Sequence, residues 1–175
     1  MSRAMLSLLA ILCALAMVGD AKPTSSTYVA TADIQATLKQ APADAVSDQP
    51  IRMVDAGGYN VGVAVVFRPK AAKLSNPVEH DKVTEIYHVM SGSGTLVTGG
   101  TLVNPAPRSA AAPQVQTING PSVTGTAVQG GETRRISAGD VVIIPAGVVH
   151  WFSEVHESLT YVVIRMDPEK VVPLK

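Results

Sequence analysis

The chain of 175 residues has one cysteine, few aromatic residues and no run of like charge. The cysteine, Cys13, lies in an apolar N-terminal run with Leu12 before it, a poor fit to a lipoprotein site. Once that run is removed, no thiol remains for a disulfide or for thiol chemistry. The 14 basic residues balance the 14 acidic ones. Balance without a basic stretch argues against nucleic acid or an anionic membrane surface as the main partner. There is no internal repeat, no nucleotide-binding glycine loop followed by a helix and no zinc-protease helix motif. Ser91-Gly92-Ser93-Gly94 reads as a hairpin turn rather than a nucleophile elbow, because no helix follows.

What is present suits one globular domain with its own core, since 46% of residues are apolar. Residues 1–21 read as a signal peptide: Arg3, an apolar run from Ala4 to Val18, then small residues Gly19 and Ala21 around Asp20. The run is shorter than the ~20 residues of a comfortable span, so export with cleavage after Ala21 is expected rather than an anchor. That places the mature protein in the periplasm or outside the cell. Residues 22–50 form an extension with a short helix, capped by Thr31 or Asp33 and ended by Pro42.

From Ile51 the period changes to two, and residues 51–175 read as one all-β unit. Strands are expected at Ile51 to Asp55, Asn60 to Arg68, Thr84 to Met90, Thr95 to Thr98 and Thr101 to Val103. Val115 to Ile118, Val123 to Val128, Glu132 to Ile136, Val141 to Ile144 and Leu159 to Met166 complete the set. Helix is expected only at the front. The stretch Asn104 to Gln114, with three prolines, is not expected to form a strand. It reads as a surface connection or as a lid over a barrel mouth. Many short strands at turn spacing mean an antiparallel sandwich or barrel.

Two stretches carry the chemistry. In the first, His80 is followed after four residues by Glu85, and Glu85 after six by Gly92. In the second, Gly139, Pro145, Gly147 and His150 stand with five, one and two residues between them. Together these resemble the two motifs of the cupin superfamily. The resemblance implies a jelly-roll β-barrel and, commonly, a divalent metal inside it, with His80, Glu85 and His150 as the ligands. Two positions depart from the pattern: Val78 stands where a first histidine is expected, and Glu154 where the second motif closes on asparagine.

Strand geometry supports the same grouping. His80 and Glu85 are an odd number of residues apart, so a turn through Asp81 to Thr84 is needed to face both inward. Two imidazoles and a carboxylate with open positions resemble the facial triad that suits Fe, and they also tolerate Mn, Ni, Zn or Cu. The competing reading is a decayed site whose histidines are ordinary polar residues. Tyr87 and Phe152 share the parity of Glu85 and His150 and are expected in the cavity wall, with Val78 beside them. Glu154, if inward, would have a raised pKa and act as a catalytic acid or base. His88 is expected to point outward and His156 to lie at the surface. Trp151 is expected outside or against a second subunit, and with Ile86 and Met90 it suggests a homodimer.

The chain is therefore expected to hold a divalent metal and a small-molecule ligand or substrate. The alternative is a metal-free binding or structural module. Oxygenase, isomerase and lyase chemistry all use such a barrel, and the fold selects none of them.

Overall fold

Alternation of inward and outward side chains decides how these strands stack. The computed structural model describes residues 23–175, so the expected signal segment lies outside the described residues. A short helix α1 (Thr31–Leu38) precedes the strands. Its N-cap is Ala30 rather than Thr31 or Asp33; Asp33 acts from inside the first turn, its carboxylate accepting the Ala30 N–H at 3.1 Å. Strands follow as β1 (Ser47–Asp55), β2 (Asn60–Arg68), β3 (Val78–His80), β4 (Thr84–Thr98), β5 (Thr101–Val103) and β6 (Ala106–Pro107). After a π-helical turn at Val115–Asn119 come β7 (Ser122–Thr124), β8 (Ala127–Gln129), β9 (Glu132–Ser137), β10 (Val141–Ile144) and β11 (His150–Asp167).

Three expectations are corrected here. Val115–Asn119 is helical instead of a strand, so helix is not confined to the front. Ala106–Pro107 pairs with β7 inside the stretch read as strand-free, because proline is tolerated where no ladder N–H is required. The first strand begins at Ser47, upstream of Ile51, and so brings Asp48 into the sheet.

The long strands β4 and β11 pair antiparallel along their lengths and belong to two layers at once. One end of the pair is flanked by β10 on β4 and by β2 and β1 on β11. The other end is flanked by β9 on β4 and by β3, β7 and β6 beyond β11. Register shifts within β11 fall between Phe152 and Leu159. Bulges there bend the shared ribbon from one layer into the other. The result is a jelly-roll that is not fully closed, with β5 and β8 as a separate two-stranded ribbon.

Inward residues of both layers form one core: Ala64 and Val66 of β2, Tyr87 and Val89 of β4, Ile136, Ile144, and Phe152, Leu159, Tyr161 and Val163 of β11. Each large aliphatic side chain buried here contributes roughly 1.5–3 kcal/mol. In β11 the buried positions run Leu159, Tyr161, Val163, Arg165, Asp167. The alternation thus carries two charged groups inward along with the apolar ones.

Gly92 allows β4 to turn against β11. Its φ is +77°, and a Cβ there would stand 2.1 Å from the Ser158 carbonyl oxygen. Gly139, at φ +94°, has nothing within 4 Å of the same position. Gly139→Ala is expected to cost only the left-handed backbone penalty of about 1–2 kcal/mol. Gly92→Ala adds a backbone clash and should cost clearly more. Urea unfolding midpoints compare them, and equal losses would contradict this account of Gly92.

Candidate metal centre and cavity

His80 closes β3, a bend at Asp81 and Lys82 reverses the chain, and Glu85 faces inward from the start of β4. His150 opens β11 opposite Val78, so both histidines arrive beside the carboxylate. One ligand atom from each of His80, Glu85 and His150 lies within 4.8 Å of the other two, and all three residues are buried. His80 Nε2 is 3.7 Å from Glu85 Oε1, and His150 Nε2 is 3.4 Å from Glu85 Oε2.

The outer nitrogens of both rings are engaged. Ser122 Oγ donates to the Gly120 carbonyl (2.9 Å) and therefore accepts from His80 Nδ1 (2.8 Å). His150 Nδ1 donates to the Val148 carbonyl at 3.1 Å. In their neutral forms both imidazoles thus present an Nε2 lone pair toward the same anionic carboxylate. Lone pairs facing an anion repel unless a cation lies between them, and fixed outer nitrogens are how ligating histidines are oriented. The donor set fits a divalent metal ion.

The carboxylate is also held from behind. Arg165 Nε donates to Glu85 Oε1 at 2.8 Å, and the Tyr87 hydroxyl donates to Oε2 at 2.7 Å. Arg165 then forks onto Asp48 of β1 with contacts of 3.1 and 2.5 Å. Burial by itself would raise the Glu85 pKa, but Arg165 and the two imidazoles overcome it and hold the carboxyl well below its ordinary range. Burial lowers the His80 pKa to about 3, against the pull of Glu85 and with help from His150 and Arg165. Burial and the Glu85 charge push the Tyr87 phenol well above its usual value, so it remains a donor.

A cavity of about 450 Å³ opens over this cluster. Val78, Tyr87 and Phe152 are in its wall. The 104–121 segment contributes Arg108, Gln114, Ile118 and Asn119, which favours the lid reading of that stretch over a plain surface connection.

Glu154 is elsewhere. Its side chain is 65% exposed and lies 3.3 Å from His156 Nδ1. Ser153 is the extra residue of a bulge, with Phe152 opposite Leu96 and Glu154 opposite Thr95, and this reverses the parity that would have turned Glu154 inward. The catalytic role expected of it is withdrawn. Trp151 is also corrected: it lines the cavity, because the loop between β2 and β3 covers this end of β11 and Ser75 O accepts its indole N–H at 2.8 Å. His88 is exposed, whereas His156 is partly covered and bonds Thr95 Oγ1 at 2.8 Å.

Sequence reasoning passed over Arg165, Asp48, Arg68, Ser122 and Asn119. Arg165 and Arg68 had a readable signal, since each is a charge at an inward position of an otherwise apolar alternation. Ser122 and Asp48 had none, because only tertiary pairing brings them to the site.

The sequence profile of the family described as Cupin matches residues 59–174. No curated protein matches the chain. Similar solved structures include recombinant oxalate oxidase in complex with glycolate, at 18% identity and TM-score 0.46 over 75% of this chain and 55% of that one. The lyase DddQ of Ruegeria pomeroyi, described as a DMSP lyase, has 16% identity and TM-score 0.42 over 70% of this chain and 51% of that one. TT1209 of Thermus thermophilus has 10% identity and TM-score 0.47 over 74% and 92%. The chain spans about half the length of the first two.

The depressed pKa values of His80 and Glu85 have a measurable consequence. Below the ordinary histidine value of 6.5 the unfolded chain binds a proton at His80 that the folded protein refuses, so stability falls as pH falls toward about 3. Glu85 adds a loss of the same sign below its ordinary 4.5. Urea midpoints of chelator-treated protein are expected to drop steadily from pH 7 to pH 4. A His80 imidazole titrating near 6.5 by NMR would contradict this.

Proposed function

The chain belongs to the cupin family, and from that premise we propose that it is an exported protein holding one divalent metal through His80, Glu85 and His150, with a small-molecule ligand or substrate in the cavity beside them. The observation that carries this reading is the pair of Nε2 lone pairs facing one buried carboxylate, with both outer nitrogens fixed. When bound, the ion supplies Lewis-acid polarisation of a ligand oxygen or a site for O2. The protein's own groups orient and enclose. Ser122 and the Val148 carbonyl set the imidazoles, Arg165 and Tyr87 set the carboxylate, and Phe152 and Tyr161 wall off water. Val78 offers no ligand atom, which leaves that side of the ion open to a bidentate ligand.

One observation favours a second reading, a metal-free binding module. Both Glu85 oxygens already accept a hydrogen bond, so the anion is satisfied without an ion.

Elemental analysis decides between them, on protein recovered from the cell exterior whose intact mass also reports whether residues 1–21 have been removed. A stoichiometric divalent metal is expected, lost in His80→Ala and in His150→Ala. Metal content unchanged in both variants would overturn the metal reading. No metal, together with no thermal shift on adding Fe, Mn, Ni or Zn salts, would establish the module instead, since a ligand that binds only the folded state must stabilise it.

We also propose a homodimer through the outer face of β4 and β10, where Met90, Val141 and Ile143 are 39%, 61% and 66% exposed. Such a cluster on a paired sheet face suits a second copy of the same chain. Light scattering at micromolar concentration should give a dimer mass that Ile143→Glu reduces to the monomer; a monomeric wild type would refute it.

A further inference from the structure

The cavity contains polar groups that the metal reading does not use. Three arginines (Arg68, Arg108 and Arg165) and two carboxylates (Asp48 and Glu85) line it, an excess of one positive charge before any metal is bound. Arg165 is paired with both carboxylates. Arg68 and Arg108 have no carboxylate within 4.0 Å among the described residues.

Arg68 is held in place for an incoming anion. Its guanidinium carbon lies 4.7 Å over the Phe152 ring and 5.9 Å from the centre of Tyr161. Its Nε donates to the Tyr161 hydroxyl at 3.1 Å and its Nη1 reaches Ser75 Oγ at 3.5 Å. A guanidinium carries about five N–H donors, so most of this one's remain without a protein acceptor. A planar fork laid against an aromatic face presents those donors in one plane, which matches a carboxylate. Arg108 is half-buried on the segment that crosses the cavity and makes no side-chain hydrogen bond among the described residues.

A third group asks for the opposite partner. Asn119 is 8% exposed, lines the same cavity, and its Oδ1 has no hydrogen-bond donor. A buried acceptor without a donor costs about 1–3 kcal/mol, so a ligand hydroxyl placed there recovers that energy.

We propose that the cavity takes a small hydroxycarboxylic acid, its carboxylate bound by Arg68 and Arg108 and its hydroxyl donated to Asn119. The inference rests on the reading of the cavity as a small-molecule site, and it names the ligand's class.

Isothermal titration of sodium lactate into chelator-treated protein tests it, with propionate (hydroxyl removed), lactamide (charge removed) and inorganic phosphate as comparisons. Lactate should bind saturably, and propionate and lactamide at least about tenfold more weakly, the worth of one hydrogen bond to a charged or buried group. Arg68→Gln and Arg108→Gln should each weaken lactate by about tenfold or more while leaving lactamide unchanged. If Arg68→Gln fails to fold, Arg108→Gln, on a half-buried segment outside the core, carries the same comparison.

Repeating the titration on metal-loaded protein separates this inference from the metal reading. Binding that depends on the arginines supports the inference with or without metal. Binding that appears only with metal and ignores both substitutions overturns it and leaves the metal reading standing. No lactate binding in either form, or phosphate binding more tightly than lactate, overturns it as well.

Discussion

A carboxylate taken out of water must be matched by charge and hydrogen bonds, and Glu85 is where this fold meets that demand. It is 2% exposed and touches four groups: Arg165, Tyr87, His80 and His150. Those groups come from β3, β4 and β11, and through Arg165 the network reaches Asp48 on β1. Breaking such a buried pair by removing one partner costs about 3–5 kcal/mol, because the other charge is left behind uncompensated. The two layers of the jelly-roll are therefore joined at the site by matched charge as well as by apolar packing. The same contacts that make the cluster costly to disturb also fix the direction in which its ligand atoms point.

Much of this was legible in the chain because spacing and parity are local. His80, Glu85 and His150 sit at intervals that a turn and two strands convert into one cluster, and Tyr87 and Phe152 follow by alternation. Local parity failed where the ladder is irregular. The extra residue at Ser153 sends Glu154 to solvent, and nothing in its neighbours announces a bulge. Val115–Asn119 reads as strand by composition yet is helical, a tertiary override by the segment's position across the cavity. Ser122 and Asp48 become part of the site through pairing between distant segments, which no one-dimensional pattern encodes.

The arrangement has a chemical consequence. Glu85 gives its charge first to Arg165, so an ion bound beside it would keep more of its own positive charge for whatever enters the cavity. The open side at Val78 and the uncompensated Arg68 and Arg108 point the same way, toward an anionic ligand. Aromatic walls around Arg68 exclude water, which strengthens each of these attractions relative to bulk solvent. Site, wall and overlying segment thus act as a single electrostatic unit whose excess charge is positive.

The most direct test of this account is an anomalous difference map from a crystal of the protein grown with cobalt(II). The account predicts one strong peak at bonding distance from Nε2 of both His80 and His150 and from a Glu85 oxygen, about 2.0–2.2 Å for such ligands. A map with no peak there, or with the ion held elsewhere on the chain, would contradict it.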